Sequence, residues 1–331
     1  MGKRFLRTIV VDQQVVLPSS EIVPIDLPVN PLSFLVLTIY AETSTNLDIT
    51  NSETMLNTHM ELVTELSVRH RGETIIQGNL RDIAMLSYLI TGTPPWGREF
   101  SADDNTIRAR SFVIPFTRKP YDHNEAFPAT QRGNLRFHMT TGAAPANSDN
   151  FWFSIESLEL IEDNPTQFLK YTTLTRTLAN TGRQRVQLPI GNEILALLLY
   201  DPANEVGAAE MYSFGKVKLM KDNVEQYYGT SNWEALAADL AMRVQNLSGA
   251  FGHTHHQAAV DTIVGGFGWT QGTFPPLQYG LLDFDPLKDG SYALETAGAA
   301  SLDLDMDVDN AGPTARIIPV ELIKIPGAGG A

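Results

Sequence analysis

A chain of 331 residues that is 43% hydrophobic and 19% charged can bury two ordinary cores and is not a disordered polymer. Its formal net charge of −14 excludes wrapping nucleic acid as the main task, because phosphate binding requires Lys and Arg in excess. With no cysteine there is no disulfide scaffold, thiolate nucleophile or zinc–thiolate site, and no run of about 18 apolar residues offers a membrane-spanning helix. The opening MGKRFLRTIVVDQQ is basic but lacks an apolar core and a cleavage pattern, so no signal peptide is expected.

In chain order, alternation from Phe5 to Leu17, the stretch Glu21–Leu27 and the continuous run Phe34–Tyr40 predict strands, with Pro18, Pro24, Pro28 and Pro31 marking ends and edges. MELVTELSVRHRGETIIQG predicts a hairpin that turns at Arg71-Gly72. NLRDIAMLSYLITG predicts a helix with Asn79 as N-cap, Asp82 in the first turn and Gly92 as the stop. A long irregular region follows, with a strand near Arg110–Phe116, and FWFSIESLELIE closes the half as a long strand. The boundary is expected at EDNPTQ, Glu162–Gln167, where Asn-Pro breaks the strand.

The order then recurs. Phe168-Leu169-Lys170 answers Phe5-Leu6-Arg7, and VQLPIGNEILALLLY, Val186–Tyr200, answers IDLPVNPLSFLVLTIY, Ile25–Tyr40. KVKLMKDNVEQYYG predicts two strands around Asp222-Asn223, and TSNWEALAADLAMRVQNL a helix opened by a capping box of Ser231 and Glu234. A long Gly- and aromatic-rich region and a last strand, ARIIPVELIKIP, complete the match. The chain therefore reads as a duplication, residues 1–164 and 165–331, each half mainly β with one short helix and long loops. A jelly roll is eight strands in two sheets, and each half has room for that.

No catalytic constellation stands out. SLDLDMDVDN, Ser301–Asn310, has the D-x-D-x-D look of a calcium loop, but no frame supplies both the Gly and the Glu that an EF-hand requires. As a strand it places Leu302, Leu304, Met306 and Val308 inward and the aspartates on a wet face able to attract a cation. His253 and His255 of HTHH lack a nearby carboxylate to complete a metal set, and GGFGW, Gly265–Trp269, lacks the Lys of a phosphate loop. No Gly-x-Ser-x-Gly supports a triad. Catalytic, cofactor and metal residues are all expected to be none. Lys3, Arg4 and Arg7 form a basic tip, which is either an ordinary charged terminus or a contact with an anionic surface. Trp96 and Trp269 lie in the two long regions and either anchor loops or mark a contact surface.

The paired halves, with the segment TIVVDQQVVLPSSEIVPIDLPVNPLS (Thr8–Ser33) and its answer at Val186–Tyr200, resemble the double jelly-roll major capsid proteins of tailless icosahedral, membrane-containing bacteriophages, corticovirus-like and related. That resemblance implies a non-enzymatic shell subunit: a homotrimer, pseudo-hexameric in outline, tiling an icosahedral capsid over an internal membrane. It implies the chain itself, other capsid proteins such as a vertex protein, and the inner membrane as partners, and no sequence-specific nucleic acid. The virion is the implied location, with assembly in the host cytoplasm. Lys3, Arg4 and Arg7 would face lipid, while Trp96 and Trp269 would lie among outward loops. The C-terminal GAGGA departs from the pattern, since it offers little for a tying arm. Two alternatives share parts of the architecture: a jelly-roll carbohydrate-binding or host-attachment protein, and a bicupin-type metalloenzyme.

Overall fold

The structure, a computed structural model, describes residues 3–43, 59–92, 95–98, 107–145, 148–202, 213–243 and 278–326. His253, His255, Gly265 and Trp269 lie outside the described residues. The chain divides into two compact units, one built on Met1–Phe168 and one on Leu169–Gln245 with Thr270–Lys324.

The first unit contains β1 (Arg4–Val16), β2 (Ile25–Asp26), β3 (Leu32–Thr43), β4 (Val63–His70) and β5 (Glu73–Gly78). Helix α1 (Leu80–Thr91), β6 (Trp96–Arg98), β7 (Ile107–Pro115), β8 (Leu135–Thr141) and β9 (Ser148–Ile161) follow. One sheet runs β1-β9-β3-β7-β6, and strands β5-β4-β8-β2 are hydrogen-bonded in that order. Alternation decides which faces are buried: Leu35, Leu37 and Ile39 of β3, Phe153 and Ile155 of β9, and Leu66 and Val68 of β4 are all inside.

In the second unit the strands are β10 (Gln167–Thr172), β11 (Leu174–Thr177), β12 (Gly182–Gln187), β13 (Glu193–Tyr200), β14 (Phe214–Lys221), β15 (Val224–Glu225) and β16 (Ser231–Asn232). Helix α2 (Trp233–Arg243), β17 (Tyr279–Asp283), β18 (Leu294–Glu295), β19 (Leu302–Val308) and β20 (Thr314–Lys324) complete it. Here the orders are β10-β20-β13-β17, with β11 also on β20, and β12-β19-β14-β15. Between them lies a core that includes Leu188, Leu197, Leu199, Phe214, Leu219, Leu304, Met306 and Ile317.

The two sets of orders are the same order. Strands β1, β3 and β9 correspond to β10, β13 and β20, and in both units the last strand lies between the other two. Likewise β2, β4, β5 and β8 correspond to β12, β14, β15 and β19. Each unit thus carries the eight-strand, two-sheet order of a jelly roll among its described residues.

Local chemistry explains the joints. Arg71 and Gly72 both take positive φ in the turn between β4 and β5, and Asp222 and Asn223 do so between β14 and β15. That is the backbone a tight two-residue hairpin demands, because its twist matches the strands. Asn79 caps α1 by accepting from the Asp82 backbone N–H at 2.8 Å, and Gly92 ends it in a left-handed conformation. Helix α1 packs on β7 and α2 on β17.

Three expectations change. Within Glu21–Leu27 only Ile25–Asp26 is a strand, plus an isolated bridge from Glu21 to Thr140, because Pro24 has no N–H to give a ladder. Ser231 does not cap the second helix: it is drawn into pairing with Val217, so α2 opens at Trp233. Trp96 belongs to β6, opposite Ser111 of β7, rather than to a loop.

Candidate assembly surfaces

The amino-terminal tip sits at the start of β1, where Arg4 lies opposite Ile161 in the ladder with β9. Its charge is largely matched. Arg4 pairs with Glu162 at 2.6 Å and Arg7 with Glu156 at 2.5 Å, both on the exposed surface. Lys3 is exposed, and its charge is one of the influences that lower the pKa of His123, after burial of the ring. Among the described residues of the tip, two of its three cations are matched by carboxylates. Along β1 the side chains of Phe5, Leu6, Ile9 and Val15 are exposed, although the Phe5 ring meets Tyr121 edge-on at 5.1 Å.

The segment that leaves β9 is held firmly. His123 is hydrogen-bonded to Asp163, and the backbone N–H of Thr166 donates to Asn124 O at 2.8 Å. Glu125 is buried, accepts from Arg118 Nε at 2.8 Å and from Gln167 Nε2 at 3.2 Å, and so fastens the chain where it passes into β10.

The acidic strand β19 resolves the SLDLDMDVDN question. Leu302, Leu304, Met306 and Val308 join the core, as alternation predicts. The aspartates are not a bare ladder, however. Asp303 and Asp305 are buried beneath neighbours, while Asp307 and Asp309 are exposed. Arg183 and Arg185 of β12 both bond Asp305, the latter through Nε at 2.8 Å, and Arg185 also lies 3.6 Å from Asp303. On the other flank the register sets Lys216 opposite Asp307 and Lys218 opposite Asp305, while Lys218 pairs with Glu225 at 2.9 Å. Burial alone would raise the Asp305 pKa, but the hydrogen bonds from Arg185 and Arg183, and their charges, outweigh it and hold the carboxyl below its usual range. Cross-strand arginines thus take the place a cation would occupy. Among the described residues no three His, Asp or Glu side chains are grouped to hold a metal.

A repeated polar clasp was not anticipated. Asn30 Nδ2 donates to Glu159 Oε2 at 2.7 Å, and Asn192 Nδ2 donates to Glu321 Oε2 at 2.7 Å. Each asparagine stands two residues before the strand residue that faces its glutamate, Leu32 opposite Glu159 and Ile194 opposite Glu321. The signal was present: LELI at Leu158–Ile161 and VELI at Val320–Ile323 share Glu-Leu-Ile in the two closing strands. At the far end of β13, buried Asp201 accepts from the Ser213 N–H at 2.6 Å, and its own N–H donates to Gln278 O at 2.8 Å. One carboxylate residue thereby gathers the roots of two long connections.

No family model and no curated protein matches the chain. Solved structures do. The major capsid protein of STIV, the Sulfolobus turreted icosahedral virus, superposes with a TM-score of 0.67 at 13% identity, covering 97% of each chain. The major capsid protein of bacteriophage PM2 gives 0.58 at 13% identity, over 98% of this chain and 100% of that one. A structure of the PBCV-1 virus capsid gives 0.56 at 11% identity, over 100% and 97%.

The fold is the double jelly roll.

Near-complete coverage in both directions means that the match rests on both halves and not on one sandwich. At these identities the likeness lies in the double jelly roll and its strand order, not in shared side chains. It therefore transfers no site, and the surfaces above stand on this chain's own geometry.

Proposed function

We propose that this protein is the major capsid protein of an icosahedral virus, a structural subunit without catalytic activity. The observation that carries the reading is the same eight-strand order occurring twice in one chain, in an architecture that matches viral capsid proteins end to end. Two similar units let one chain act as two positions of a ring, so that three chains make a pseudo-hexamer able to tile a net. We assign the halves to residues 1–164 and 165–331. The low charged fraction leaves neutral wall for lateral contacts, and obligate interfaces commonly exceed ~2,000 Å².

The partners follow: copies of itself first, then a vertex protein and the inner membrane of the particle. The end carrying Lys3, Arg4 and Arg7 is assigned to the membrane side. Because Arg4 and Arg7 are paired with glutamates, binding to anionic lipid there rests chiefly on Lys3 and is expected to be weak and salt-sensitive. Trp96 and Trp269 are assigned to outward contacts.

The test is mass in solution followed by electron microscopy. Light scattering of purified protein should give a trimer, and concentrated protein should form sheets or shells with hexagonal packing. A monomer at high concentration that binds glycan instead would overturn the reading.

A further inference from the structure

On the face turned away from the core of the first unit, strand β8 carries the opposite charge to its counterpart β19. Leu27 N–H donates to Leu135 O and Leu188 N–H to Leu302 O, so Leu135 and Leu302 are equivalent positions. Counting on, Arg136 and His138 of β8 stand where β19 has Asp303 and Asp305. In the second unit those buried carboxylates meet Arg183 and Arg185. In the first unit the residue opposite Arg136 is another arginine, Arg69 of β4. Val68, Leu135 and Phe137 are buried on the inner face, so alternation sends both arginine side chains to the other. Like charges directly opposite each other destabilise a sheet. Arg136 is relieved by Asp26, 3.1 Å from its Nε. Arg69 is not: its Nε is buried with no hydrogen-bond partner, an arrangement that costs free energy.

Further cations gather at the same end of the sheet. Arg71 donates its backbone N–H to Asn134 O at 2.8 Å, just ahead of β8, and Arg132 stands two residues before that acceptor. Both are exposed. The Arg136 guanidinium lies over the same turn, since a Cβ on Gly133 would be 3.7 Å from its Nη2. Half-buried His138 senses the cluster: burial of its ring and then the charge of Arg69 lower its pKa, Glu21 opposes, and Arg136 adds to the fall. Among the described residues Asp26 is the one carboxylate ion-paired to any of these four arginines. Three of the four are left without an internal counter-ion, in a chain whose net charge is −14. We infer that this end of the face is an anion site, where a phosphate-class oxyanion bridges Arg69 and Arg136 and supplies the negative charge that Asp303 and Asp305 supply in the second unit. A doubly charged phosphate matches several uncompensated cations better than a single carboxylate does, and guanidinium forks bond its oxygens two at a time. Free phosphate and a phospholipid headgroup present the same oxygens.

The test titrates inorganic phosphate into the purified full-length protein by calorimetry at constant ionic strength. Wild type should bind it saturably, and Arg69→Gln should weaken binding by about tenfold or more, because a charge-assisted bond is lost. Arg132→Gln, at an exposed position, should weaken it less and carries the comparison if Arg69→Gln fails to fold. Arg183→Gln, on the neutralised face of the second unit, should leave it unchanged. Thermal melts give a second readout: in phosphate-free buffer Arg69→Gln should melt no lower than wild type, and added phosphate should raise the wild-type Tm more than the variant's. Co-sedimentation with phosphatidylcholine vesicles, with and without phosphatidic acid, separates the two sources. Arg69-dependent retention by the acidic vesicles assigns a lipid headgroup, and retention by neither assigns free phosphate. No saturable binding of phosphate overturns the inference. So does binding that neither Arg69→Gln nor Arg132→Gln weakens, or that Arg183→Gln weakens equally. Such a result leaves the shell-subunit reading in place, since that reading rests on strand order and not on these arginines.

Discussion

Asn30 and Asn192 are the same residue of a duplicated design: each reaches a buried glutamate, Glu159 or Glu321, both 4% exposed, over 2.7 Å. A carboxylate taken out of water needs donors, because an unsatisfied buried acceptor costs its full desolvation penalty. Asn30→Ala and Asn192→Ala are each expected to lower stability by about 1–3 kcal/mol. Glu159 also accepts from Ser157 Oγ at 3.3 Å, so the Asn192 variant should be the more damaging. Urea denaturation of the two variants checks the order; equal wild-type stability in both would show that the clasp contributes nothing.

The pair of arginines on Asp305 gives a pH signature. Its carboxyl is held below the usual range in the folded protein, so the charged form is favoured by folding. That stability is present above the unfolded value of about 3.9 and is lost as pH falls through the lower folded value. Asp305→Asn should therefore be clearly less stable than wild type at neutral pH, and the gap should narrow on acidification below about pH 4. Denaturation series across pH measure the gap directly; a constant difference would mean that shape, not charge, sets the cost.

Gly280 lets α2 approach β17. A Cβ there would stand 2.9 Å from Trp233 Cζ3 and 3.3 Å from Leu236 Cβ, both on the helix and both buried. Gly280→Ala must push the helix or the indole aside, at about 1–3 kcal/mol for overpacking. A lowered Tm with altered tryptophan fluorescence is the expected result, and an unchanged spectrum would place the strain elsewhere.

The two hairpin turns should respond differently to relief of positive φ. Arg71 has φ of 50° with a side chain that gains nothing from it, so Arg71→Gly should stabilise by up to about 1 kcal/mol. Asp222, at 52°, uses its carboxylate to accept from the N–H groups of Ala300 at 2.7 Å and Ser301 at 3.0 Å. Asp222→Gly relaxes the backbone but strips those bonds, and net destabilisation is expected. Thermal melts of the pair would reveal whether the sign indeed flips.

What sequence alone determined here is everything set by local rules. The Arg71-Gly72 and Asp222-Asn223 turns, the Asn79 cap, the Gly92 stop and the inward face of Leu302 to Val308 follow from backbone sterics, capping and the two-residue period of a strand. Duplication was legible as well, because Leu27-Pro28 and Leu188-Pro189 mark the same joint: Leu27 N–H donates to Leu135 O at 3.0 Å, and Leu188 N–H to Leu302 O at 2.8 Å. Tertiary structure alone decided what those surfaces meet. Nothing within ten residues of Arg4, Arg7 or Asp305 names Glu162, Glu156 or Arg183 as a partner, since cross-strand neighbours are set by sheet order and register. That is why a presumed basic tip proved to be mostly neutral and a presumed bare acidic ladder proved to be covered by arginine. It is also why Ser231 left its cap: pairing with Val217 was available only once β14 lay beside it. Local propensity chooses the elements, but the ladder that satisfies the most backbone groups chooses their neighbours, and only then does a side chain acquire its charge environment.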